Sequence, residues 1–68
     1  MWANRITLEM IKHSDARDTI ANKLKELTMD EDCITKLCIS ADNRYMFYEV
    51  HLFDKTKFKI NDNGEEVF

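Results

Sequence analysis

The chain has 68 residues, 44% hydrophobic and 34% charged, with a net charge of −3. That is enough for one small domain, which buries only ~60% of the surface its unfolded chain exposes. The acidic balance argues against a general nucleic-acid binder, whose footprint is basic, and no run approaches the ~20 apolar residues of a membrane-spanning helix.

Residues 1–13 carry two patterns at once. Ile6, Leu8 and Met10 alternate as in a strand, whereas Leu8, Glu9, Met10 and Lys12 favour a helix that Thr7 would cap, and the balance tips slightly towards the helix. Trp2 and Ile6 call for burial. The segment lacks the apolar stretch of a secretory leader, so a cytoplasmic location with reduced Cys33 and Cys38 is expected.

The main helix is expected over 15–28. Ser14 or Asp15 caps it, Asp15 and Asp18 face its positive end, and Lys23 and Lys25 lie near its close. Ile20, Ala21, Leu24 and Leu27 make one apolar stripe.

Strands follow. Over 33–40, Cys33, Thr35, Leu37 and Ile39 share one side. A two-residue turn at Asp42-Asn43 then pairs Ile39 with Met46, Leu37 with Tyr48, Thr35 with Val50 and Cys33 with Leu52, and Lys36 with Glu49 on the other side. A three-residue loop at Asp54-Lys55-Thr56 pairs Leu52 with Phe58 and Val50 with Ile60, with Glu49 opposite Asn61. Asn63-Gly64 is the strongest turn signal and sets Val67 beside Ile60 in a short last strand or tail. Tyr45-Met46-Phe47-Tyr48-Glu49-Val50-His51-Leu52-Phe53 thus has two faces. Met46, Tyr48, Val50 and Leu52 line the core, while Tyr45, Phe47, Glu49, His51 and Phe53 point away from it, beside Ile34 and Cys38.

No catalytic or metal constellation emerges. Cys33 and Cys38 are an odd number of positions apart, hence on opposite faces and unable to share a metal. His51 falls opposite Ile34, and Cys38 opposite Phe47, so no Cys–His nucleophile pair forms, and no oxyanion-forming turn accompanies them. The run from Asn61 to Glu66 has its glycine where a calcium loop would need further ligands that the chain lacks. Lys55, Lys57 and Lys59 read as a solvated, protected strand edge. Asp30, Glu31 and Asp32 form an acidic knot suited to a basic partner.

Tyr48-Glu49-Val50-His51-Leu52, followed by Lys57-Phe58-Lys59-Ile60-Asn61-Asp62-Asn63-Gly64-Glu65-Glu66-Val67, resembles the ending of PepSY-type domains. Those run as a helix, a Tyr-Glu-Val-x-Leu strand and a strand closing on Asp-x-x-Gly-Glu-Val. The similarity spans roughly residues 18–68. It implies a non-catalytic module that binds or restrains another protein, often a protease.

The expected fold is therefore α+β: one helix on an antiparallel meander of three to four strands, with an N-terminal short helix or strand. The expected function is non-enzymatic protein binding without cofactor or metal, as an inhibitor or modulator of a larger protein. A phage- or mobile-element-encoded factor acting on a host protein would suit that description. The interface falls to Tyr45, Phe47, Glu49 and Phe53, with Asp30, Glu31 and Asp32 as a second patch. Homodimerisation through the aromatic face is the alternative, and a nucleic-acid module using Lys55, Lys57 and Lys59 is a less favoured one.

Overall fold

The computed structural model describes residues 2–42 and 45–67, with side chains for all of these except Trp2 and Asp42. They form one α-helix and a five-stranded antiparallel sheet in the order β1-β2-β3-β4-β5, so every strand lies beside its neighbour in sequence. The strands are β1 (Trp2–Arg5), β2 (Ile34–Asp42), β3 (Tyr45–Leu52), β4 (Lys57–Asn61) and β5 (Glu66–Val67). The helix, α1, is Asp15–Glu26, and 3-10 turns at Leu8–Ile11 and Glu31–Cys33 flank it.

The helix begins where the sequence predicts. Ser14 is its N-cap, with a hydroxyl that accepts from the Arg17 N–H at 3.2 Å. It ends two residues earlier than expected, in a Schellman motif: the Met29 N–H donates to the Leu24 carbonyl at 2.8 Å and the Thr28 N–H to the Lys25 carbonyl at 3.1 Å. Thr28 takes the left-handed position of that motif at φ 58°, where a β-branched side chain is strained. Met29 then folds back onto the core beside Leu24. A helix of ~12 residues is marginal alone, so packing holds α1 in place. Ala16, Ile20 and Leu24 are buried, while Leu27, expected on the same stripe, is exposed past the last turn.

The N-terminal segment resolves into both patterns that its sequence carries. Trp2–Arg5 is a strand on the outer side of β2, with Asn4 opposite Ile39 and Arg5 opposite Cys38. Leu8–Ile11 is a 3-10 turn capped by Thr7, whose hydroxyl accepts from the Met10 N–H. The slight preference for a helix alone is corrected, and the added strand raises the sheet from the expected three or four to five. Ile6, Leu8 and Ile11 pack on the helix side of the sheet. The burial expected of Trp2 concerns a side chain outside those described.

The core is continuous across α1, β2, β3 and β4: Ala16, Ile20, Leu24, Leu37, Tyr48, Val50, Leu52, Phe58 and Ile60. Full burial of an aliphatic side chain is worth ~1.5–3 kcal/mol, and Ile20, Val50 and Ile60 are all fully buried. The predicted faces of β3 hold; the predicted registers do not. Ile39 pairs with Tyr48 and Leu37 with Val50, and Tyr48 pairs with Ile60 and Val50 with Phe58. Both pairings are displaced by two residues, and a shift of two keeps every side chain on its face. Asp42 remains in β2 opposite Tyr45, so it is not a turn residue, and Asn43 lies outside the described residues.

A bulge between Ile34 and Lys36 breaks the alternation of β2. It turns Ile34, expected on the outer face, onto the core opposite Leu52 and leaves Thr35 exposed. Cys33, expected in that strand, lies half-buried in the preceding 3-10 turn. Met46 keeps its inward position but is 38% exposed.

Two loops share one design and account for the shifted registers downstream. Phe53-Asp54-Lys55 closes β3 to β4: the Leu52 N–H donates to the Thr56 carbonyl and the Lys55 N–H to the Leu52 carbonyl, with Lys55 at φ 72°. Asp62-Asn63-Gly64 closes β4 to β5 in the same way, with Gly64 at φ 83°. In each, an Asx oxygen accepts backbone N–H groups: Asp54 from Thr56, Asn61 from Asn63 and Glu65. Val67 consequently falls opposite Lys59 rather than beside Ile60. The second loop docks on the first turns of α1, where the Thr19 hydroxyl donates to the Gly64 carbonyl at 2.6 Å. A Cβ on Gly64 would come within 2.9 Å of the Asp15 carbonyl oxygen. Lys23 adds an ion pair to Glu66 at 2.7 Å.

Two outcomes follow from these contacts. Thr28→Gly should relieve the left-handed strain of ~1 kcal/mol and raise the melting temperature by ~4–8 °C, read by thermal circular dichroism. Alkaline pH should act through two raised pKa values: Tyr48, pushed above its usual 10.0 by burial and then by the Asp62 charge, and Lys23, raised by its hydrogen bond to Glu66. For both groups the stabilisation is complete below the unfolded pKa and is lost as pH rises towards the folded one. Urea unfolding across pH 9–12 should therefore show falling stability above about pH 10, with a shallower fall in Tyr48→Phe.

Candidate functional site: the uncovered sheet face

The helix and the first 3-10 turn send their buried apolar side chains, Ala16, Ile20, Leu24, Leu8 and Ile11, to one face of the sheet. Among the described residues, nothing packs across the other. Its side chains come from the odd positions of β3 and their cross-strand partners.

Three rows run across it. In the first, Ala3, Ser40, Phe47 and Asn61 stand side by side; in the second, Arg5, Cys38, Glu49 and Lys59; in the third, Lys36, His51 and Lys57. Tyr45 projects beyond the first row, 76% exposed. The Lys59 ammonium lies over the Phe47 ring, 5.1 Å from its centroid, which leaves Phe47 half-buried. His51 Nε2 is 3.3 Å from Glu49 Oε1.

Cys38 and Ser40 lie on this open face and are nevertheless buried, at 5% and 1% exposure. Both are short side chains: Cys38 stands between the longer Arg5 and Glu49, which roof it over, and Ser40 stands between Ala3 and Phe47. Cys38 is opposite Glu49, not Phe47, and Lys36 is opposite His51, not Glu49, which corrects two expected pairings. Glu49 instead meets Lys59 directly, where Asn61 was expected.

The seven residues proposed for an interface do not form one patch. Tyr45, Phe47 and Glu49 are on the uncovered face. Phe53, 64% exposed, belongs to the β3–β4 loop, where its N–H donates to the Cys33 carbonyl at 3.0 Å. Eight residues of extended chain put Tyr45 and Phe53 roughly 26 Å apart. The acidic knot serves local structure: the Asp30 carboxylate caps a 3-10 turn by accepting from the Asp32 N–H, and Glu31 pairs with Arg17 of α1. Asp32 is exposed and, with Glu31, lines a groove of about 370 Å³ beside Arg5 and Lys36.

At the Tyr45 end, β3 outruns β4, and the gap is a cleft of about 380 Å³ lined by Tyr45, Met46, Phe47 and Val67 with Asn61, Glu65 and Glu66. At the other end the face is basic: Arg5, Lys36, Lys57 and Lys59 surround a single carboxylate, Glu49. This basic half was not legible as a unit. Lys57 and Lys59 alternate visibly, but Arg5 reaches the face only because residues 2–5 join the sheet as a strand.

Among the described residues, no three His, Cys, Asp or Glu side chains converge as metal ligands would, and no helix is long and apolar enough to cross a membrane. No protein-family model, curated protein or solved structure matches the chain.

The two free thiols differ in access, Cys33 half-buried and Cys38 buried. Iodoacetamide should modify Cys33 well before Cys38, as read by peptide mass mapping, because a roofed thiol must wait for local opening.

Proposed function

We propose that this chain is a non-enzymatic protein-binding module that docks a larger protein through the uncovered face of its sheet and inhibits or modulates it. The observation that carries this reading is Tyr45, three-quarters exposed beside Phe47 and Met46 at the rim of a cleft, on a sheet face that no described element covers. An exposed aromatic group with an adjoining cleft is the usual anchor of an interface.

The two sheet edges favour face over edge docking. β1 has four residues and β5 two, and short edge strands offer little backbone for pairing with another chain. The resemblance to PepSY-type domains supports the same kind of role. On the catalytic side, Cys38 faces Glu49 and is buried, and His51 meets Glu49 instead of a nucleophile, an arrangement that favours binding over covalent catalysis.

The test is capture of partners from the native host's lysate, comparing the wild type with a Tyr45→Ser, Phe47→Ser double variant whose fold is checked by circular dichroism. Loss of an aromatic anchor costs ~2 kcal/mol or more, about 30-fold in affinity, so a specific partner should disappear from the variant's capture. Equal capture by both proteins removes this face from the function. Light scattering across concentration separates the homodimer, which requires a mass that doubles and a doubling lost in the same variant.

A further inference from the structure

We infer that the partner presents an acidic polypeptide segment to the basic half of the uncovered face, held by Arg5, Lys36, Lys57 and Lys59. This rests on the reading that the face is a protein-docking surface, and it adds the chemistry of what docks there.

Lys36, His51 and Lys57 stand directly opposite one another on three adjacent strands, ~4.8 Å apart from strand to strand. Lys36 and Lys57 are like charges two strands apart, and their row holds no carboxylate. The next row brings Arg5 and Lys59, with Glu49 between them as the one carboxylate of the two rows. Glu49 is already engaged, with His51 at 3.3 Å and Lys59 opposite. Among the described side chains, Lys12, Arg17 and Lys23 each have a carboxylate within 4 Å, whereas these four cations, like Lys25 and Lys55, have none. In a chain of net charge −3, the four cations of these two rows outnumber their one carboxylate, with Glu31 and Asp32 lining the groove at the Arg5 and Lys36 edge.

An extended acidic segment matches this field. Alternate residues of an extended chain lie ~6.6–6.8 Å apart, which is also the spacing between successive rows of one sheet face. Carboxylates at that interval would pair with Lys36 or Lys57 in one row and Arg5 or Lys59 in the next, and offset the mutual repulsion of the cations. The adjoining cleft at Tyr45 and Met46 would then take an apolar residue of the same partner.

A single-stranded nucleic acid is the other polyanion to consider, and the observations favour it less. Its platforms stack successive bases on open aromatic rings. Here Lys59 already occupies the Phe47 ring, and among the described aromatic rings of this face Tyr45 alone stays open, beyond the first row.

The experiment is fluorescence anisotropy with three labelled probes: a short peptide with Glu at alternate positions, its Lys counterpart, and an oligothymidylate. The protein is tested as wild type, as Lys36→Glu, Lys57→Glu, and as a control, Lys12→Glu, Lys25→Glu, in which the same charge change falls on the other side of the molecule. The acidic peptide should bind the wild type and the control alike, weaken with added salt, and lose about tenfold affinity per reversal in Lys36→Glu, Lys57→Glu. The inference is overturned if the acidic peptide fails to bind, if the control loses as much as the face variant, or if the oligonucleotide binds more tightly than the peptide. Failure here with continued loss of partner capture in Tyr45→Ser, Phe47→Ser would leave the docking face standing and refute only its acidic partner.

Discussion

One helix covering one face of one sheet is the contact on which the rest of this protein depends. Ile20 and Leu24 of α1 share a single buried cluster with Leu37, Val50, Leu52, Phe58 and Ile60, drawn from three successive strands. A chain of 68 residues has material for that one core and no second. Among the described residues, the longer side chains of the sheet that point away from α1, Tyr45, Lys36, Lys57 and Lys59 among them, are thereby left to water or to another molecule. The two faces are products of the same alternation, and neither can be altered in register by one residue without exchanging core for surface.

The β4–β5 hairpin shows how so small a core is closed. Its loop carries Gly64 against the first turns of α1, close enough that a Cβ there would meet backbone, and Thr19 and Lys23 tie loop and strand to the helix by a hydrogen bond and an ion pair. The short terminal strand is therefore part of the enclosure of the core, not a trailing end. On the far face the chemistry is divided lengthwise, with Tyr45 and Phe47 beside the cleft at one end and the lysines and Arg5 at the other. That division is what the proposed partner, with an apolar and an acidic part, would meet.

The register shifts have a physical cause that sequence patterning does not contain. Hydrophobic alternation has a period of two, so it is equally satisfied by pairings that differ by two residues. Turn chemistry must then decide, and here it is ambiguous. Asp54-Lys55-Thr56 and Phe53-Asp54-Lys55 both hold an Asx residue, and only the second lets Lys55 adopt the left-handed conformation that closes the loop. Asn63-Gly64 signals a turn correctly, but Asn61 accepts from both Asn63 and Glu65 and draws Asp62 into a three-residue loop. The bulge at Thr35 was similarly invisible, since nothing in Ile34-Thr35-Lys36 departs from the strand pattern.

By itself the sequence determined the start of the helix with a cap at Ser14 or Asp15, the inward set Tyr48, Val50 and Leu52, the outward set Tyr45, Phe47, Glu49 and His51, and the α+β class, because each depends on local periodicity or on a cap within a few residues. Only the tertiary structure decided that residues 2–5 form a fifth strand, which registers apply, and that Arg5, Lys36, Lys57 and Lys59 converge around Glu49. Those facts depend on which of several compatible pairings buries the most apolar surface under α1, a comparison between distant segments that no local pattern can make.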